Sequence, residues 1–201
     1  MRREEKAFLI GVCLGDGCLR PNGGNVASLS LKHSIKQEEY FLWKVERIRK
    51  ILGGSPNKIV YFNNNSYPGV RWEKSHRYFR VIRKWLYKDG VKTITPFILS
   101  KLTPEAIAVW WMDDGSMYKK RNPKTKKVKA IEGVLSTYTS KEENIIIQQY
   151  FKEKWGINFA LVKSKNSYRL RLNTNECRKL AKLIEPYIHP SMAYKIDVNM
   201  K

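Results

Sequence analysis

Cysteine is scarce: Cys13, Cys18 and Cys177 form an odd set with no CxxC pair, so neither a disulfide framework nor a zinc site is indicated. Long apolar runs are missing too. No stretch approaches the ~18 uninterrupted apolar residues of a membrane span, and the first apolar segment, Phe8 to Leu14, is too short and too early for a secretory leader. Acidic residues are outnumbered, 18 against 39 Lys and Arg, for a formal net charge of +21. Hydrophobic residues, at 42%, suffice for a core and exclude wholesale disorder. A soluble globular protein of a reducing compartment is expected, with one or two domains in 201 residues. The positive field suits a polyanion, since each cation set against a phosphate releases a condensed counterion. Basic residues are not gathered on one amphipathic face, which argues against a membrane surface and for nucleic acid.

The excess is shared almost equally, 19 basic and 8 acidic residues up to residue 100, then 20 and 10. Both halves also read in one order. Each opens with an apolar helical run ending in Asp-Gly, Phe8 to Gly17 and Ile107 to Gly115. A basic loop follows (Arg20 to Gly24; Lys119 to Lys124), then a strand (Val26 to Lys32; Gly133 to Tyr138). Alternation places Ser28, Ser30 and Lys32 on one strand face and Ala27, Leu29 and Leu31 on the other. Helices over Lys36 to Leu52 and Ser140 to Trp155 are each halted by glycine, Gly53 and Gly156, 103 residues apart. Hairpins follow, Lys58–Phe62 with Val70–Lys74 and Phe159–Lys163 with Tyr168–Leu172, then helices near His76–Tyr87 and Thr174–Ile184. The expectation is an α+β fold of two pseudo-symmetric αββαββα repeats, residues 1–100 and 101–201, giving one chain the twofold of a dimeric DNA binder.

The Asp-Gly pairs carry the chemistry. A helix C-terminus holds about half a negative charge, so Asp16 and Asp114 sit against the dipole. Carboxylates beside free helix-end carbonyls are the hard oxygen donors that suit Mg²⁺. Both motif helices are apolar nearly all round and therefore buried. Gly11 and Gly15, four apart, leave room for a neighbouring backbone. If these helices pack together, Asp16 and Asp114 meet at one end and repel unless cations bind between them. That is the arrangement of multi-metal phosphodiester hydrolysis. His33, His76 and His189 read as isolated, so no His, Ser or Cys mechanism competes; Tyr61, Trp72 and Trp85 read as core.

LIGVCLGDG (Leu9–Gly17) and IAVWWMDDG (Ile107–Gly115) resemble the paired signatures of the LAGLIDADG homing endonucleases, and the element order resembles the single-chain, two-motif members over almost the whole length. The second half is the closer match, through LTPEAIAVWWMDDG from Leu102 and IEPYIHPSMAYK from Ile184. The resemblance implies a monomer that makes a metal-dependent double-strand break in a long target. Asp16 and Asp114 would be the catalytic acids and metal ligands, with Gly15 and Asp113 offering the backbone carbonyls before them. Lys92 and Lys195, also 103 apart, match the basic residue late in each repeat and would steady the phosphate. Mg²⁺ is the implied cofactor, with Mn²⁺ substituting and Ca²⁺ binding without turnover. One departure is Val109, where the first motif has the small Gly11, which implies asymmetric helix packing.

The family's strands form two antiparallel saddles in the major groove, where side chains address base edges. On the strand faces the implied contacts are Ser28, Ser30, Lys32, Arg71, Ser136, Tyr138, Lys163, Arg169 and Arg171. Loop residues Arg20, Asn22, Lys119, Lys120, Lys124, Lys126 and Lys165 would hold phosphates, which position without specifying. The partner is double-stranded DNA. The alternative is an intron maturase that uses the same fold to hold RNA, and a second rival is a DNA-binding transcription factor descended from it.

Overall fold

The computed structural model describes residues 1–54, 57–64, 67–164 and 167–199. The first repeat runs α1 (Arg3–Leu14), β1 (Cys18–Pro21), β2 (Ala27–Ser34), α2 (Glu38–Leu52), β3 (Val60–Asn64), β4 (Tyr67–His76) and α3 (Arg77–Leu86). A small ribbon of β5 (Tyr87–Lys88) and β6 (Val91–Lys92) and a short helix, α4 (Pro96–Ser100), connect it to the second. That repeat runs α5 (Pro104–Asp114), β7 (Gly115–Arg121), β8 (Val128–Leu135), α6 (Lys141–Trp155), β9 (Ala160–Ser164), β10 (Ser167–Leu172) and α7 (Thr174–Ile184), ending in tight 3₁₀ turns at Glu185–Tyr187 and Pro190–Ile196. No helix of the described residues is long and apolar enough to cross a membrane.

The two antiparallel sheets have the same plan, β1-β2-β4-β3 and β7-β8-β10-β9. Helices α2 and α3 cover one face of the first, α6 and α7 the matching face of the second, so each sheet keeps its other face open. The basic stretches read as loops begin as strand: Arg20 lies in β1, and Lys119 and Lys120 in β7. Isolated edge strands of mixed polarity have no periodicity of their own to declare them; pairing with β2 and β8 creates them. Conversely, β8 ends at Leu135, so Ser136 and Tyr138 lie beyond it instead of on its face. Tyr138 has φ +54° and is 85% exposed. Tyr61, expected in the core, is exposed and donates its hydroxyl to Glu38, whereas Trp72 is fully buried and Trp85 half-buried against Phe97.

Two helices join the halves. Glu4 and Glu5 occupy the first turn of α1, and Glu5 accepts the Arg2 amide at 2.7 Å, complementing the positive end of the dipole. In α5 the Thr103 hydroxyl accepts the Ala106 amide and Pro104 occupies the first turn. Ala7–Leu14 and Ala106–Met112 are buried throughout, and they form one continuous core with both sheets. The helices touch backbone to backbone: a Cβ on Gly11 would lie 2.5 Å from the Ala106 carbonyl oxygen. Gly11 thus meets Ala106, and Val109, buried as well, turns its carbonyl to the Tyr40 hydroxyl at 3.3 Å.

Candidate active site and nucleic-acid interface

The crossing delivers three carboxylates to one end of the helix pair. Asp16 follows α1 and Asp113 and Asp114 close α5. Asp113 reaches across to the other helix end, where its Oδ2 accepts the Asp16 amide at 3.0 Å. Gly15 makes that possible, since a Cβ there would stand 2.3 Å from the same oxygen. Asp114 stays with its own helix and accepts Trp110 Nε1 at 3.2 Å.

Behind Asp113 lies a buried polar group that the sequence reading did not anticipate. Lys44 Nζ is 2.8 Å from Asp113 Oδ1, and neither side chain is exposed. The Tyr40 hydroxyl donates to the same oxygen at 2.9 Å, and Lys44 also donates to His33 Nε2 at 2.8 Å. His33, read as isolated, is therefore a member of the site: its Nε2 stands 3.4 Å from Asp16 Oδ2. Burial, then the Lys44 charge, holds the imidazole down to about 4, so it is neutral, with Nδ1 donating to Gln37 Oε1 at 3.1 Å. Asp16, His33 and Asp113 bring ligand atoms within 4.8 Å of one another, the spacing of a metal cluster. Lys44, however, already supplies a cation to two of the three. Lys44 was legible as an anomaly: it shares the apolar stripe of Tyr40, Phe41, Val45 and Ile48, where a charge has no business without a partner.

The two late lysines take equivalent places. Lys92 donates to the Gly15 carbonyl at 3.0 Å, with Leu14 and Gly17 carbonyls at 3.3 and 3.4 Å. Lys195, buried in the last turn, donates to the Asp113 carbonyl at 3.1 Å. Each ammonium thus sits on the carbonyl just before an acid. His189 caps that turn through Ser191 and packs against Tyr40 and Trp43.

These cations do not balance the acids. Burial first, then Asp113, pushes Asp16 up to about 6 against the pull of Lys44, Lys195 and Lys92. Burial, then Asp16 and Asp113, pushes Asp114 up to about 7. Burial also draws Lys195 below the ordinary lysine value. Two carboxylates raised in this way, by burial first and by neighbouring acids second, beside helix-end carbonyls with a second lone pair to offer, form a donor set of the kind a hard divalent cation takes.

The open sheet faces carry the remaining candidates unevenly. Arg20, Ser30, Lys32 and Arg71 line one groove on the first sheet. Ser28 does not: it is buried, bonded to Ser75 Oγ at 2.7 Å, and Asn22 donates to the same Ser75 oxygen at 2.7 Å. On the second sheet Lys120 and Arg171 converge on Glu132 at 2.5 and 3.5 Å, and Arg169 shares the face of Arg171. Lys163 falls on the other side. It opposes Tyr168, which alternates with Leu170 and Leu172 on the core face. Lys119 is paired with Asp197 at 2.8 Å, because its strand parity turns it toward the C-terminal turn. Lys124 and Lys126 are exposed at the tip of the β7–β8 turn, which Asn122 organises by accepting the Lys124 and Thr125 amides. Ser136 is placed by its amide bond to the Asp114 carbonyl at 3.1 Å, next to the acids. Lys165 lies outside the described residues.

Comparison with known proteins bears on the whole arrangement. The profile of the LAGLIDADG DNA endonuclease family matches residues 6–180. A RecA protein of Mycobacterium gastri is 26% identical over 207 aligned positions, covering 96% of this chain and 47% of that protein. The "Probable intron-encoded DNA endonuclease 3" of Mycosarcoma maydis is 33% identical over 130 residues, 61% of this chain and 88% of that protein. The chain spans about half the length of the RecA relatives that head its curated matches. Among solved structures, the homing endonuclease I-WcaI bound to its DNA recognition sequence superposes with a TM-score of 0.80 at 25% identity, covering 98% of this chain and 88% of that one. I-SmaMI, solved on an uncleaved DNA target with calcium ions, shares the fold at a TM-score of 0.64 and 10% identity over 96% of this chain and 88% of that one. With two Asp-Gly motif helices crossed beneath a repeated four-stranded sheet, and a profile match that spans both, this chain belongs to the LAGLIDADG DNA endonuclease family.

Proposed function

We propose that the protein is a site-specific endonuclease that hydrolyses both strands of a long DNA duplex, working as a monomer with one active centre from each repeat and Mg²⁺ as cofactor. The observation that carries this reading is the gathering of Asp16, Asp113 and Asp114, from separate repeats, at one end of the α1–α5 crossing, where Asp113 bonds the Asp16 amide and the Asp16 charge helps raise Asp114. The sheets on either side carry basic side chains on their open faces, and strands can enter the major groove. Asp16, Asp114 and the Gly15 and Asp113 carbonyls would hold the metal, which when bound supplies Lewis-acid stabilisation of charge building on the scissile phosphate. Lys92 and Lys195 donate to those carbonyls and add positive potential beside the phosphate. Arg20, Ser30, Lys32, Arg71, Arg169 and Arg171 address the groove, while Lys120, Lys124 and Lys126 hold the backbone. An RNA-holding maturase or a transcription factor on this fold has no need of acids from both repeats gathered at one helix crossing.

The test is cleavage of a supercoiled plasmid library carrying randomised sites. Linear product is expected with Mg²⁺ or Mn²⁺, and binding without cutting with Ca²⁺. Asp16→Asn and Asp114→Asn should each lose double-strand cutting and leave at most a nicked circle. Full linearisation by either variant rejects the assignment.

A further inference from the structure

The two centres are not copies of one another. Helices α2 and α6 are each 15 residues long and end at Gly53 and Gly156, which aligns Lys44 with Ile147. Both side chains are fully buried. The residue before the acid likewise differs, Gly15 in one motif and Asp113 in the other. The charged pair therefore occurs once, and it serves one side. Lys44 Nζ donates to Asp113 Oδ1 at 2.8 Å, and Asp113 Oδ2 accepts the Asp16 amide at 3.0 Å.

That last bond has a directional consequence. An amide N–H and the carbonyl before it belong to one rigid trans plane and point in opposite directions. Holding the Asp16 N–H therefore sets the direction of the Gly15 carbonyl, which Lys92 meets at 3.0 Å. Gly15 has already left the helix, with φ −77° and ψ −130°, so no intrahelical bond does this work. Asp113, the matching residue, lies inside α5, whose own ladder orients its carbonyl. The Asp16 centre is the one that needs a brace, and among the described residues it is the one that has it. A buried ion pair is a poor substitute for an apolar contact as a source of stability, and Ile147 shows what the same helical position accepts when nothing has to be held.

We propose that Lys44 and Asp113 are positioning residues that set the Gly15–Asp16 peptide, and that this one-sided brace makes the two centres unequal, so that the two DNA strands are cut at different rates. The strand claim rests on the nuclease reading; the brace itself does not.

Two measurements separate them. In the full chain without DNA or metal, Lys44→Met should accelerate exchange of the Asp16 amide hydrogen by ~10-fold or more through loss of a charge-assisted bond, with α5 and α6 amides still protected. Equal acceleration across both repeats assigns the pair to bulk stability and overturns the brace. Because Lys44→Met leaves a buried carboxylate, the paired variant Lys44→Ile/Asp113→Gly, which installs the opposite repeat's residues at both positions, is measured beside it. Both variants are then given a supercoiled plasmid with a library-selected site, each strand separately labelled, the Asp16 strand being identified with Asp16→Asn. The ratio of the two strand rates should shift by ~10-fold or more against the Asp16 strand. Equal strand rates in the unaltered protein, or equal slowing of both strands in the variants, overturns the inference. An unaltered protein that cuts no library member overturns the nuclease reading and the strand claim with it, while the amide measurement still decides the brace.

Discussion

Gly11→Ala is the most direct probe of the crossing on which the site depends. The added Cβ would stand 2.5 Å from the Ala106 carbonyl oxygen, 2.9 Å from its Cα and 3.1 Å from its carbonyl carbon. Ordinary contact begins near 3.4 Å, so the helices must part by about 1 Å, and the obstacle is backbone that cannot rotate away. Both helices are buried along their inward length, which denies an easy outward slide. Overpacking of this kind costs roughly 1–3 kcal/mol, and rigid backbone on both sides favours the upper end. Alanine's better helix propensity returns up to ~1 kcal/mol, leaving about 2 kcal/mol net. At roughly 2–4 °C per kcal/mol for a chain of this size, melting falls by about 4–8 °C. Thermal denaturation followed by circular dichroism without divalent cations reads it. Since the same displacement parts Asp16 from Asp114, plasmid cutting at a permissive temperature should fall by up to ~10²-fold. An unchanged or raised melting temperature would refute the close approach, because propensity alone predicts a gain.

Acidity, salt and register supply three more tests. Asp16 and Asp114 titrate at about 6 and about 7 in the fold against an ordinary 3.8; their protonated forms are favoured by folding, so that contribution is complete below pH ~4 and is lost as pH rises through 6 and 7. The melting temperature of the metal-free protein should therefore decline between pH 5 and 8 while the increment from MgCl₂ grows, and an increment independent of pH would contradict the uncompensated carboxylates. Lys124→Ala and Lys126→Ala should each weaken DNA binding uniformly across sequences and lower the salt slope by ~0.9; a change confined to particular bases would mean these residues read sequence. Arg171→Ala should relax specificity by ~1–3 kcal/mol at its bases while Lys163→Ala leaves the sequence preference as it was, and the reverse outcome would require the faces of the β9–β10 hairpin to be exchanged.

Much of the architecture was legible because it depends on local periodicity. Two apolar helix-length runs, two polar helices stopped by glycine at a constant offset, and two hairpins are patterns within short windows, and each appears in the structure within a few residues of its expected bounds. Features that depend on pairing were not legible. Edge strands β1 and β7 have no strand periodicity of their own, Ser28 is buried by its bond to Ser75 although it alternates with Ser30 and Lys32, and Lys163 lies on the face of Leu170 instead of that of Arg171. Each of these turns on which strand lies alongside, and one residue of register exchanges the faces.

The same division runs through the site. Sequence alone determined which residues could do acid and cation chemistry: Asp16 and Asp114 at the ends of helices too apolar to be exposed, Lys92 and Lys195 at matched positions, and a charge that demands a polyanion. Tertiary structure decided what those residues share. His33 and Lys44 are ordinary residues until α5 brings Asp113, 69 positions along the chain from Lys44, against both. A carboxylate's charge is weak at a distance in water and strong against a buried neighbour, and only the crossing of α1 over α5 determines which neighbour it meets.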